Sequence, residues 1–216
     1  MSRVGRPRVL LADDHRMVAE GLRSLLSAEF DLVGVVEDGR ALIEAARKLH
    51  PDVIVADITM PNLNGLDAMD SLKKDNPRVK VVFLTMHQET AYARRALEAG
   101  AAGFVLKHSA PAELLTAVRT ALADRIYITP AVAGEVIHAF RQGDGAASDP
   151  GARLTPRQRE ILQLLAEGRS AKEVAGTLGI SSRTVEFHKY QMMESLRLHS
   201  NAELIHFAIK QGIVAI

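Results

Sequence analysis

The sequence predicts a chain of two domains: an α/β domain on a doubly wound, five-stranded parallel sheet, followed by an all-α domain of four short helices. Three observations carry this. Short apolar runs alternate strictly with amphipathic stretches of helical length through the first 125 residues, as expected for strands covered on both faces and joined by right-handed helical crossovers. Residues 142–153 (QGDGAASDPGAR) hold no large apolar side chain and are rich in Gly, Ala, Asp and Pro, the composition of a flexible linker. The 64 residues from 153 to 216 show helix caps and helical apolar spacing without a strand-like run, in a length that can fold alone around a small core.

The strands are read at 8–12 (RVLLA), 32–36 (LVGVV), 53–56 (VIVA), 79–84 (VKVVFL) and 103–106 (GFVL). Each is too short for a helix and lacks the alternation of a half-exposed strand. Helices are read between them at 15–28, 40–49, 65–74, 89–99 and 111–123; in the first, Met17, Leu22, Leu25 and Leu26 fall on one face. Residues 126–129 and a helix to Arg141 then lead into the linker, which places the domains at 7–125 and 154–216 with 126–153 connecting them. In the tail, Thr155 precedes Pro156, an N-cap before proline at the first helical position, and this helix runs to Gly168. A second helix is read at 171–178, Gly179 is the turn residue, Ser181 or Ser182 caps a third helix ending at Leu196, and a fourth covers 201–211.

Composition excludes several classes. The chain is 47% hydrophobic and 25% charged, which is neither disordered nor fibrous. It has no cysteine, so disulfides and thiolate metal sites are impossible. No apolar run approaches the ~18 residues of a membrane span, and the basic residues 1–8 are not followed by a signal-peptide core; a cytoplasmic protein is expected. Residues 153–216 carry 9 Lys/Arg against 6 Asp/Glu, whereas residues 1–152 carry 18 against 20, an acidic front and a basic back.

Chemistry-bearing residues collect at strand ends. Asp13 and Asp14 follow the first strand and Asp57 ends the third. In a sheet ordered 2-1-3-4-5 these strands are neighbours, so their carboxyl ends bring three carboxylates into one cleft. Such crowding is costly unless a cation joins it, and oxygen ligands favour a hard ion such as Mg2+. A carboxylate held in this way can attack phosphorus to give an acyl phosphate. Thr85 after the fourth strand offers a hydroxyl and Lys107 after the fifth an ammonium, which together with the metal would clamp three phosphoryl oxygens. Singly, each residue reads as a helix cap or a surface group; the combination at four strand ends points to phosphoryl chemistry.

Residues 8–123 resemble a response-regulator receiver domain, a flavodoxin-like fold. The resemblance rests on Leu11-Ala-Asp-Asp-His15, on D-x-x-M-P-x-x-x-G from Asp57 to Gly65, on Thr85-Met86-His87 and on Gly103-Phe-Val-Leu-Lys107. It implies Asp57 as phospho-acceptor and Asp14 as direct Mg2+ ligand. Asp13 would hold the ion largely through water, the backbone carbonyl of Thr59 would be a further ligand, and Thr85 and Lys107 would contact the phosphoryl group. It also implies a histidine kinase as donor, with the domain catalysing its own phosphorylation and slow dephosphorylation. Phe104 stands where the family places an aromatic that turns inward when Thr85 moves onto the phosphoryl group. With no hydroxyl, its ring loses nothing by burial, so a plain core position is an equal expectation. Thr59 and His87 flank the pocket and are placed to tune the access of water.

The tail fits a helix-turn-helix. In its third helix Val185, Met192 and Leu196 share the inward stripe, while Arg183, Phe187, Tyr190 and Glu194 lie opposite with Glu186 beside them. A major groove would accept this face, with Arg183 donating to guanine and Phe187 touching a thymine methyl, and with Lys172, Thr184 and His188 on phosphates. Periodicity alone fits equally a module whose aromatic pair meets a partner helix. Residues 154–196 resemble the LuxR-type helix-turn-helix, a match that runs on to about Val214. It is carried by Leu154-Thr-Pro-Arg-x-x-Glu160, Gly168-x-Ser170, Lys172-Glu173-x-Ala175, Leu178-Gly-Ile-Ser181 and Thr184-Val185-x-x-His188.

Receiver and tail together resemble the NarL/FixJ arrangement: a phosphorylation-dependent transcriptional regulator of a two-component system, not a metabolic enzyme, binding DNA as a homodimer. Phosphorylation is expected to free the third tail helix or to promote dimerisation. The resemblance implies dimerisation through the last helix, at Leu204, Ile205, Ala208 and Ile209, for which core packing is the alternative. The family often carries Lys or small or polar residues where this chain has Glu186, Phe187 and Tyr190, so base contacts do not carry over; Arg197 stands where glycine is usual. Three other functions fit less: an α/β phosphohydrolase, for which the short loops leave no leaving-group pocket; a phosphorylation-independent DNA-binding regulator with a vestigial receiver; and a protein-binding tail.

Overall fold

The computed structural model describes residues 5–86, 90–109, 111–142 and 154–214. His87, the first residue of the helix read at 89–99 and nearly all of the linker read at 142–153 lie outside the described residues. The others form an α/β unit and a helical unit.

In the first unit, β1 (Arg8–Ala12), β2 (Asp31–Val36), β3 (Val53–Asp57), β4 (Lys80–Thr85), β5 (Gly103–Leu106) and β6 (Tyr127–Ile128) form one parallel sheet ordered β2-β1-β3-β4-β5-β6. Between the first five strands run α1 (Arg16–Glu29), α2 (Gly39–Leu49), α3 (Gly65–Asp75) and α4 (Thr90–Glu98). The helices α5 (Pro111–Leu122) and α6 (Pro130–Gln142) flank β6. The apolar runs are strands because both of their faces are covered. Val9, Leu11, Val53, Val55, Val82, Leu84 and Val105 pack with Ala19 and Leu26 of α1 and with Leu114, Ala117, Val118 and Ala121 of α5. The intervening Leu10, Ile54, Phe83 and Phe104 are fully buried too, and α2 and α4 contact that sheet as well. Each large aliphatic side chain so buried contributes about 1.5–3 kcal/mol.

The sheet has six strands where five are expected from sequence. Residues 126–129, read as part of a connector, add β6 by donating Tyr127 N–H to Ala102 O (3.1 Å) and Thr129 N–H to Phe104 O (3.0 Å). A two-residue strand has no periodicity to read. What makes it a strand is the open backbone edge of β5, which any extended segment can pair. The helix expected to run to Arg141 begins directly after it at Pro130 and contacts α4, where Thr90 Oγ1 donates to Glu135 (2.8 Å).

The second unit comprises α7 (Pro156–Ala166), α8 (Ala171–Leu178), α9 (Ser182–Leu196) and α10 (Asn201–Lys210). Thr155 with Gln158 and Ser170 with Glu173 form reciprocal capping boxes, while Ser181 rather than Ser182 caps α9 by accepting from Thr184 N–H. Gly179 ends α8 at φ 64°, a conformation open to glycine at no steric cost. Ile161, Leu162, Leu164, Val174, Val185, Met192, Leu204, Ala208 and Ile213 form the core.

Arg197 ends α9 at φ 57°, ψ 44°, a left-handed position that costs a side chain about 1–2 kcal/mol. Arg197→Gly relieves that strain but loosens the unfolded chain, for a net gain of roughly 0.5 kcal/mol. Thermal unfolding of the helical unit should therefore shift upward by about 2–4 °C; a lowered midpoint would show that the arginine side chain holds the turn.

Candidate functional site

Strand register assembles the first site. Ala12 pairs with Ala56 and Asp57 with Leu84, while Thr85 pairs with Leu106. Asp13, Asp57, Thr85 and Lys107 therefore stand at the same edge of four neighbouring strands. The chain turns there because Asp13 takes the His15 amide (2.9 Å) and Asp57 the Thr59 amide (3.2 Å). Lys107 N–H donates to Thr85 O (2.7 Å). Gly65 allows the loop after β3 to fold back, donating to Ile58 O at 2.7 Å; a Cβ there would lie 2.2 Å from the Asp57 carbonyl oxygen.

The geometry is that of a buried carboxylate pair with one cation. Asp13 is 1% and Asp57 5% exposed. The Lys107 ammonium reaches Asp13 Oδ2 at 2.8 Å and Asp57 Oδ2 at 2.5 Å. Burial pushes the Asp57 carboxyl above its ordinary pKa, opposed by Lys107 and reinforced by Asp13. For Lys107, burial works against the charge, but Asp57 and Asp13 outweigh it and its pKa is raised. Asp14, half-buried, is met by His15 Nδ1 at 2.9 Å.

The residues fit a hard divalent cation. Single ligand atoms of Asp13, Asp14, His15 and Asp57 lie within 4.8 Å of one another. Asp13 Oδ2 and Asp14 Oδ1 are buried without an aligned hydrogen-bond donor, although Lys107 and His15 lie close by. A carboxylate oxygen set of this kind suits Mg2+. His15 was missed as a member of this cluster; the signal was its place directly after two aspartates.

Thr85 is fully buried and so is Phe104, which pairs with Phe83 across β4 and β5. Thr59 is half-buried at the rim. Thr129 and Glu113 were not legible as partners of this edge. The Thr129 hydroxyl accepts Leu106 N–H (3.2 Å) and donates to Glu113 (3.0 Å), fixing β5 next to Lys107.

The second site is the outer face of α9. Val185 and Met192 are fully buried, and Leu196 packs at the edge of that core. Opposite them Arg183, Glu186 and Glu194 are exposed, with Phe187 57% and Tyr190 66% exposed. Lys172 is exposed, and Thr184 and His188 are half-buried beside them. Phe187 and His188 meet edge to face with ring centroids 6.0 Å apart. Lys189 donates to Glu186 at 3.2 Å.

Two of the four α10 residues expected at a dimer contact pack inward instead. Leu204 (2% exposed) and Ala208 (fully buried) belong to the unit's own core and present no surface to a second copy. Ile205 is 37% exposed and Ile209 half-buried. A four-helix unit this small needs the inner face of its last helix for its own core.

Comparison with known proteins finds two family matches, to the response regulator receiver domain over residues 9–119 and to bacterial regulatory proteins of the luxR family over residues 152–208. The transcriptional regulatory protein MctR of Rhizobium johnstonii is 36% identical, over 96% of this chain and 95% of its own length. The response regulator UvrY of Escherichia coli is 31% identical, over 95% and 94%. Among solved structures, RcsB from Salmonella enterica serovar Typhimurium, bound to a promoter in the presence of BeF3−, is 28% identical with a TM-score of 0.62, covering 94% of this chain and 98% of that one. Among the described residues no helix is long and apolar enough to cross a membrane.

Proposed function

We propose a function from one premise: the chain belongs to the response regulators that join a receiver domain to a luxR-family regulatory domain. It is a phosphorylation-dependent, DNA-binding transcriptional regulator of a two-component system, with a receiver at 7–125, a connector at 126–153 and a DNA-binding domain at 154–216. The observation that carries the reading is the convergence of Asp13, Asp57 and Lys107 within 2.8 Å contacts at the strand ends. The buried Asp57 carboxylate attacks phosphorus of a phosphohistidine on a kinase; the N–P bond breaks, the imidazole leaves, and an acyl phosphate remains on Asp57. Thr85 donates its hydroxyl to one phosphoryl oxygen and the Lys107 ammonium pairs with another. Asp14, Asp57, the Thr59 carbonyl and, largely through water, Asp13 would hold Mg2+, which neutralises charge on the transferring group when bound. The Phe104 ring, already within the core, is placed to take up space left by Thr85 as it moves onto the phosphoryl group. Hydrolysis of the acyl phosphate, with Thr59 and His87 tuning water, resets the switch.

The outer face of α9 is assigned to the major groove, with Arg183, Glu186, Phe187 and Tyr190 facing bases and Lys172, Thr184 and His188 near phosphates. A homodimer in the cytoplasm, joined in part through Ile205 and Ile209, places two such faces on DNA. RcsB, with bound promoter DNA and BeF3− in its structure, supports this assignment. The vestigial-receiver alternative is disfavoured by the assembled carboxylates, Thr85 and Lys107.

A mobility-shift assay on selected operator DNA tests the coupling. Acetyl phosphate should raise wild-type affinity by roughly 5–150-fold and leave Asp57→Ala at the unphosphorylated level. Equal affinity of the two proteins under both conditions would overturn the coupling.

A further inference from the structure

We infer that Glu186 is a specificity-determining residue that accepts a hydrogen bond from the N4 amino group of a cytosine in the operator half-site, beside a thymine whose methyl group meets Phe187. This rests on the assignment of α9 to the major groove. With about 100° per residue along a helix, Arg183, Glu186, Phe187 and Tyr190 fall within an arc of roughly 100°, and all four are exposed. The opposite stripe, Val185 and Met192, is fully buried, so α9 meets a ligand on the side that carries these four.

A carboxylate on that arc is out of keeping with generic attraction to DNA. It repels phosphates and weakens binding to every sequence alike. It becomes favourable only where it meets a donor, and the major-groove edges carry two, the N6 amino group of adenine and the N4 amino group of cytosine. Adenine sets its N7 acceptor beside N6, which repels the second carboxylate oxygen, whereas cytosine has no acceptor of its own there. Lys189, one turn on, donates to Glu186 at 3.2 Å, which orients the carboxylate and offsets part of its charge. Phe187 is 57% exposed next to it and braced edge to face against His188, an apolar surface suited to a methyl group.

The test uses the full chain with Mg2+ and beryllofluoride. Duplexes are selected from random DNA, and the affinities of the selected site and its single-base replacements are then measured at one salt concentration. Wild type should show a half-site position where replacing cytosine by thymine, which puts an acceptor in place of the amino group, costs about tenfold or more. In Glu186→Ala that ratio should fall to near one while affinity for unrelated duplex rises. Glu186→Gln should move the preference at that position towards adenine, whose N6 and N7 suit a carboxamide. Retention of DNA by all three proteins with unchanged preferences at every position would overturn the inference and leave the DNA-binding assignment standing. Failure of wild type to retain any duplex would overturn both.

Discussion

Lys107→Met is expected to destabilise the first unit by about 3–5 kcal/mol, the loss seen when one partner is removed from a buried ion cluster. The ammonium is the cation shared by Asp13 and Asp57, at 2.8 and 2.5 Å, and both carboxylates are nearly sealed from water. Methionine fills most of the volume and contributes no charge, so two carboxylates remain side by side in a poor solvent for either. Urea unfolding of the full chain in chelator should show the loss, and millimolar Mg2+ should restore more stability to the variant than to wild type. Equal stability of the two proteins in chelator would mean that the pair is solvated or protonated and that Lys107 does not neutralise it.

Gly65→Ala is expected to damage the same unit by a different route. The added methyl would sit 2.2 Å from the Asp57 carbonyl oxygen and 3.1 Å from the Phe83 ring, and the first obstacle is backbone that cannot rotate away. Either the loop after β3 lifts, breaking the Gly65 N–H bond to Ile58 O, or α3 shifts away from Asn64, whose side chain caps it by accepting the Asp67 N–H at 2.9 Å. Overpacking of this kind costs typically 1–3 kcal/mol and more where the backbone must move. Phosphoryl acceptance by Asp57 should fall at least tenfold even in the folded fraction, because the acceptor shares the displaced strand end. A variant with wild-type stability and acceptance would show that the loop has room the geometry denies it.

Strands were legible because a parallel sheet buries both faces and writes its strands as unbroken apolar runs: RVLLA and VIVA could be little else. The pocket followed from topology, since Asp13, Asp57, Thr85 and Lys107 are far apart in sequence and adjacent only once neighbouring strands are laid side by side. Contacts that depend on one backbone edge were not legible. The sixth strand exists because β5 has an open side, and Thr129 reaches Leu106 N–H only through that pairing. On α10 the apolar spacing was visible, but spacing cannot divide one stripe between core and surface; packing gave Leu204 and Ala208 to the core. On α9 the buried and exposed stripes followed the period, whereas the Lys189–Glu186 pair depends on rotamers that no period encodes.

This carboxylate pocket is expected to accept a phosphoryl group with the help of a divalent cation. The most direct measurement is the amide NMR spectrum of the full chain titrated with beryllofluoride, with Mg2+ and with chelator. Saturable shifts at Asp57, Thr85 and Lys107 and along β5 are expected with Mg2+ alone, and larger ones with both; the shifts that need beryllofluoride should be absent in Asp57→Ala. A wild-type spectrum unmoved by the two together would contradict the account.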